Sequence, residues 1–168
     1  NGTVGEMHAK KISALYDLAM KTGAPVIGLV DCAGMRLQEA TDALEAFGGI
    51  YLKQTMASGM IPQITAVFGT CGGGMAVVPA LTDFTFIESK KGKMFVNSPN
   101  ALDGNYTEKC DTASAEFQSK ETGLIDAVES EEEILAEIRQ LIGLLPSNFE
   151  DNDSFEECTD DLNRACED

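Results

Sequence analysis

Two glycine-marked turns carry the residues of this chain that could do chemistry: Asp31-Cys32-Ala33-Gly34 and Gly69-Thr70-Cys71-Gly72-Gly73-Gly74. Each directly follows an apolar run, Pro25–Val30 and Gln63–Phe68, which reads as a buried strand. Glycines without a Cβ let backbone N–H groups approach a ligand closely, so two such turns could aim their amides at one small anion. The stretch Gly74-Met75-Ala76-Val77-Val78 reads as a helix start, whose first N–H groups and dipole would favour negative charge. That is the physical recipe for an oxyanion hole. The spacing alone leaves a plainer reading open, in which the glycines only permit tight strand-to-helix turns. Two other glycine-loop chemistries do not fit. A phosphate-binding P-loop would continue with Lys and Ser or Thr where Met75-Ala76 stand, and the dinucleotide spacing G-x-G-x-x-G with a later acid is missing.

Side chains add less. His8 is the one histidine, and its surroundings in an amphipathic helix with Ile12, Leu15 and Leu18 favour a packed or capping role over a base. Arg36 follows the first turn, where it could meet a phosphate or close a structural ion pair. Cys32 and Cys71 each precede a glycine turn, but with no second histidine and no paired acid they read as small buried thiols. An odd count of five cysteines without close pairing argues for a reducing compartment, hence the cytoplasm, and no spacing suggests a metal site.

The elements that must position the turns form a strand–helix–strand unit. Leu37 to Ser58 carries Leu44, Phe47, Ile50, Tyr51 and Met56 at roughly helical spacing, so the two flanking strands are expected to run parallel, with their ligand at the carboxyl ends. Phe84–Ile87, Lys93–Val96 and Leu124–Val128 read as further strands. Ser130-Glu131-Glu132-Glu133 reads as a capping box opening a helix with Ile134, Leu135, Ile138, Leu141, Ile142 and Leu145 on its apolar side. The 168 residues, 43% hydrophobic, suffice for a single domain with one good core, and no apolar run approaches the roughly 20 residues that span a bilayer. A net charge of −16 argues against nucleic acid or an anionic membrane as partner. Much of it follows Pro146, which marks residues 146–168 as an acidic tail or linker behind a domain of residues 1–145.

Around the turns, the residues resemble one family. His8-Ala9-Lys10-Lys11-Ile12, Gly23–Leu29 and Asp31–Glu39 are similar to the pattern "HAxKI…GxPVIxLxDSGGARLQE" of biotin-dependent acyl-CoA carboxyltransferases. Ser58–Ile64 resembles "SGVIPQI", Gly69–Asp83 resembles "GPCAGGAVYSPALTD", and Leu144–Asn148 resembles "YLPSN", all in collinear order. The resemblance is to the amino-terminal half, which holds acyl-CoA, whereas the other half holds biotin. It implies a crotonase-like α/β fold, a stack of ββα units lacking its first strands, in a fragment or split subunit. It further implies carboxyl transfer between carboxybiotin on a carrier protein and the α-carbon of an acyl-CoA, in a homo-oligomer that includes the carboxyltransferase C-half. On this resemblance Gly73 and Gly74 are the expected oxyanion donors, Ala33 and Gly34 supply the other donor, and Arg36, Gly72 and Met75 lie beside the substrate. The chain departs from the pattern where Met35 and Met75 replace alanines and where Thr107–Ala115 lacks the family's Gly-Gly. The latter departure keeps open an inert acyl-CoA-binding or scaffolding half-subunit.

Overall fold

The strand on which the other elements are laid is β2, Gln63–Gly72, buried along its first five residues and again at Cys71 and Gly72. A parallel strand covered on both faces reads as such a continuous run rather than as an alternation. The computed structural model describes residues 2–99, 111–151 and 159. In it β1, Val26–Cys32, runs parallel to β2 on one side, with Ile27 opposite Ile64 and Cys32 opposite Cys71. On the other side β2 changes neighbour along its length. Its first half pairs in parallel with β3, Phe84–Glu88, and its end with β4, Lys93–Phe95. A last strand, β5 at Ala127–Glu129, extends the sheet beyond β3, again in parallel, giving the order β1-β2-β3-β5. The parallel strand–helix–strand unit expected from the sequence is therefore present, and β5 is shorter than the stretch from Leu124 suggested.

Helices cover both faces. Helix α1, Glu6–Thr22, and helix α2, Ala40–Ala57, pack with Val30, Val67, Cys71 and Ile87 in the larger core cluster and its neighbour. The inward stripe of α2 is Ala43, Ala46, Phe47, Ile50, Gln54 and Ala57, whereas Leu44 and Met56 are more than half exposed. The helix expected from the spacing of these residues is present, and its buried face is made largely of alanines, which let α1 and α2 approach closely and fill the seam. Likewise Leu15 and Leu18 of α1 are exposed while Ala9, Tyr16 and Ala19 are buried. His8 has the capping role foreseen for it, its Nδ1 accepting the Gly5 N–H at 3.2 Å.

After β2 come a 3-10 turn, Gly73–Ala76, and a single α-helical turn, α3, Val77–Ala80, where the sequence suggested a regular helix start. Helix α4, Ala115–Glu121, precedes β5, and α5, Glu131–Leu144, closes the far face. Its capping box is formed as expected: Ser130 accepts the Glu133 N–H, and the Glu133 carboxylate accepts the Ser130 N–H. Ile134 and Ile138 seat this helix on Ile64, Ala66 and Phe86. Residues beyond the helix stay attached, since the Asn148 side-chain amide donates to the Gly23 carbonyl at 3.2 Å and the Phe149 N–H to the Met60 carbonyl at 3.0 Å. Most of the acidic tail lies outside the described residues.

Ile134 is wholly buried whereas Leu144 is 84% exposed. Ile134→Ala is expected to lower stability by about 2–5 kcal/mol, read as a lower urea midpoint at unchanged slope. Leu144→Ala should stay within about 0.5 kcal/mol.

Candidate active site at two facing glycine turns

The two turns meet backbone to backbone. A Cβ built on Gly34, at φ +116°, would stand 2.8 Å from the Gly72 carbonyl oxygen. One built on Gly72 would stand 2.9 Å from the Ala33 carbonyl oxygen and 3.0 Å from the Phe95 ring. Only glycine at these positions permits the approach. Strand geometry sets it up. The β1–β2 register shifts between Val30 and Cys32 and resumes with Cys32 opposite Cys71, so both strands end at the same level. Asp31 bridges the strand ends by accepting the Thr70 N–H at 2.9 Å, in space that a side chain on Gly69 would occupy.

A cavity of about 550 Å³ opens at this junction, lined by Ala33, Met35, Leu37, Leu44, Phe47, Gly48, Tyr51, Gly73 and Gly74. Of the seven site residues expected from the sequence, Ala33, Gly73 and Gly74 line it, and Gly34 and Gly72 lie just behind them as the contact that joins the turns. Met75 and Arg36 do not line it. Met75 is 6% exposed and packs in the core. Arg36 pairs with Glu39 at 3.1 Å and reaches Thr3, while the Glu39 carboxylate also accepts the Glu6 N–H, the main cause holding its pKa below the ordinary range. The ion pair considered for Arg36 is present, and it ties the start of α1 to the first turn.

The amides of the two turns are used differently. The Ala33 N–H donates to the Gly2 carbonyl at 2.7 Å, and the Gly34 N–H to the Cys32 sulfur at 3.3 Å. The first turn's donors are therefore committed within the chain. Gly73 and Gly74 open the 3-10 turn, the position at which N–H groups have no acceptor inside the helix. With only one 3-10 and one α turn behind them, these amides act by geometry far more than through a macrodipole.

In the sequence Phe47 and Tyr51 read only as helix-spaced apolar residues. Their rings are 6.0 Å apart and tilted, and the Tyr51 hydroxyl donates to the Gly74 carbonyl at 2.5 Å. Burial pushes the Tyr51 hydroxyl above its ordinary pKa, which keeps it a neutral donor. Its one sequence signal is the four-residue spacing of two aromatics on the helix between the turns, too common to mark a site.

Cys32 and Cys71 are free and buried. Burial first, and the neighbouring Cys32 second, push the Cys71 thiol up to about 12. Such a thiol is no nucleophile near neutrality.

Comparison with known proteins assigns the fold and family. The Carboxyl transferase domain family matches residues 1–168. The chain belongs to that family. It is 40% identical over 170 residues to methylmalonyl-CoA decarboxylase subunit alpha of Veillonella parvula, covering 99% of this chain and 33% of that one. It is 37% identical over 175 residues to the propionyl-CoA carboxylase beta chain of Roseobacter denitrificans, covering 96% and 34%. Among solved structures it is similar to the transcarboxylase 12S hexamer with hydrolysed methylmalonyl-coenzyme A bound, at TM-score 0.84 and 29% identity over 95% of this chain and 32% of that one. The geranyl-CoA carboxylase beta subunit of P. aeruginosa follows at TM-score 0.75 and 28% identity, covering 87% and 28%. The fold is crotonase-like, and the chain spans about a third of the length of the relatives it matches. Among the described residues no helix is long and apolar enough to cross a membrane.

An unfolded thiol loses its proton near 8.5, whereas folded Cys71 keeps it to about 12. Between these values the native state binds more protons than the unfolded one, so stability falls as pH rises, by at most about 1.4 kcal/mol per pH unit from this group. Urea titrations at pH 8 and pH 10 are expected to show this loss in the wild-type chain and a smaller one in Cys71→Ala.

Proposed function

We propose that this chain is the acyl-CoA-binding half of a biotin-dependent carboxyltransferase, and that the cavity at the glycine turns receives the thioester of an acyl-CoA. The observation that carries this reading is the convergence of Ala33, Gly73 and Gly74, from two separate strand ends, on one cavity with apolar walls. Removing an α-proton, or losing carbon dioxide from the α-carbon, moves negative charge onto the thioester oxygen, and amides fixed beforehand stabilise it there. Gly73 and Gly74 supply those amides, each worth on the order of 3 kcal/mol of transition-state stabilisation. Ala33 and Gly34 form the opposing wall; a donor from their turn would require Ala33 to exchange the Gly2 carbonyl for the ligand. Met35, Leu37, Leu44 and Phe47 hold the acyl chain and exclude water, which strengthens the amide interaction. Gly72 lets the second turn close on the first, Met75 supports it from the core, and Arg36 orders the first turn rather than meeting a CoA phosphate.

Carboxybiotin on a carrier protein supplies or accepts the carboxyl group in such transfers. The segment expected near it, Thr107–Ala115, is described only from Asp111 onward. The biotin carrier, a carboxyltransferase C-half and further copies of the assembly are partners on this reading, and a reducing cytoplasm suits the free thiols Cys32 and Cys71.

Calorimetric titration with acetyl-, propionyl-, crotonyl- and malonyl-CoA tests the proposal. Saturable binding that ranks the acyl groups, and that weakens about tenfold in Gly74→Pro through loss of one donor, is the expected result. Absence of binding by the folded protein would overturn it.

A further inference from the structure

We infer that Tyr51 is a positioning residue of the acyl-CoA site: its hydroxyl pins the Gly74 carbonyl and thereby holds the glycine turn in the one orientation that serves the thioester oxygen. The inference rests on the acyl-CoA reading above and adds to it the device that keeps its donors in place.

Three consecutive glycines, Gly72-Gly73-Gly74, are the softest backbone a chain can offer. Preorganised donors must be the opposite of soft, because a hole that has to be ordered when charge arrives loses much of its effect. Something outside the turn has to fix it. Gly72 is held by pairing with β4 opposite Phe95, and Gly73 sits at φ +58° with its Cα side against Gly34. Gly74 is held through its carbonyl, which accepts from the Val77 N–H inside the turn and from the Tyr51 hydroxyl outside it. Since the peptide unit is planar, anchoring that oxygen also fixes the Met75 N–H at the other end of the same plane, and it limits rotation about Gly74 itself.

The contact is built rather than incidental. Tyr51 lies one helical turn beyond Phe47, both lie on the cavity wall, and the two rings support each other at 6.0 Å. A Cβ on Gly74 would stand 3.0 Å from the Tyr51 oxygen and 3.4 Å from the Phe47 ring, so glycine at 74 is also what lets the phenol come close. Helix α2 leaves the first turn and ends at the strand that bears the second, so Tyr51 makes the geometry of the second turn depend on the element that follows the first.

The test compares propionyl-CoA with S-propyl-CoA, a thioether that lacks the carbonyl oxygen, by titration calorimetry of the full protein and its Tyr51→Phe variant. The wild type is expected to bind the thioester about tenfold more tightly than the thioether, the worth of one or two backbone hydrogen bonds. Tyr51→Phe keeps the ring and removes the hydroxyl. It is expected to cut that ratio to about threefold or less while leaving thioether affinity unchanged, a separation that a packing role would not produce. A wild type that discriminates and a variant that discriminates equally would overturn the inference and leave the acyl-CoA reading standing. A variant that loses both ligands together would also overturn it, reducing Tyr51 to packing. A wild type that binds both ligands alike would overturn the inference, since no donor then reads the thioester oxygen, and one that binds neither would overturn the acyl-CoA reading on which the inference rests.

Discussion

Everything distinctive about this chain depends on one steric constraint, the approach of two backbone turns to distances that no side chain allows. Gly34 lies against the Gly72 carbonyl and Gly72 against the Ala33 carbonyl, with room for a hydrogen atom on each Cα and nothing larger. The contact sits at the carboxyl ends of two parallel neighbours, where α/β sheets leave a crevice. A shift in the β1–β2 register before Cys32 brings the strand ends level, and Asp31 bridges them through the Thr70 amide. Without the contact the turns would stand apart and the cavity they share would have no floor.

The two turns then take different parts. The first is strapped inward. Val4 forms a parallel bridge with Met35 and exchanges hydrogen bonds with Gly34 and Arg36, Gly2 accepts from Ala33, and Arg36 and Glu39 hold the beginning of α1. Its amides are spent on the chain's own order, and it acts as a rigid wall. The second turn has its amides at the mouth of a 3-10 turn and its Gly74 carbonyl held by the Tyr51 hydroxyl. On the reading proposed above, a firm wall faces a held row of amides, and the donors are in place before charge develops. The strap could not have been read from the sequence, because Asn1 to Val4 carries no pattern that announces where its carbonyls go.

Much of the rest was legible. The apolar runs before each turn, the parallel pairing through an intervening helix and the Ser130–Glu133 box all follow from short-range physics: buried strands, crossover geometry and capping. What failed to follow depended on which face of a helix meets a neighbour. In α2 the large residues Leu44 and Met56 drew attention, yet Ala43, Ala46 and Ala57 form the seam, since close helix packing selects for small side chains as strongly as a core selects for large ones. The same ambiguity hid Tyr51, whose contact with Gly74 joins residues 23 positions apart and exists only once the sheet has set α2 over the second turn. The helix suggested after Gly74 shortens to two tight turns, with Pro79 inside the second, which removes most of a dipole contribution but leaves the amides where the glycines put them.

Why amides, rather than lysines, suit this particular chain follows from its charge. At −16 the protein repels anions at long range, yet at physiological ionic strength that repulsion is screened beyond about 8 Å, whereas a backbone N–H acts only at contact. Arg36, the cation that follows the first turn, is already engaged with Glu39. A lysine recruited to the cavity would be drawn toward the surrounding carboxylates and would lose solvation in an apolar pocket. An amide carries its partial positive charge without a counter-ion, cannot be titrated away, and is oriented by the fold before any ligand arrives. If the cavity takes up transient negative charge as proposed, in a strongly acidic protein such a site is best made from the one polar group that the net charge cannot neutralise. The stringency of the glycine contact is the structural consequence, because backbone donors can be aimed only by aiming the backbone.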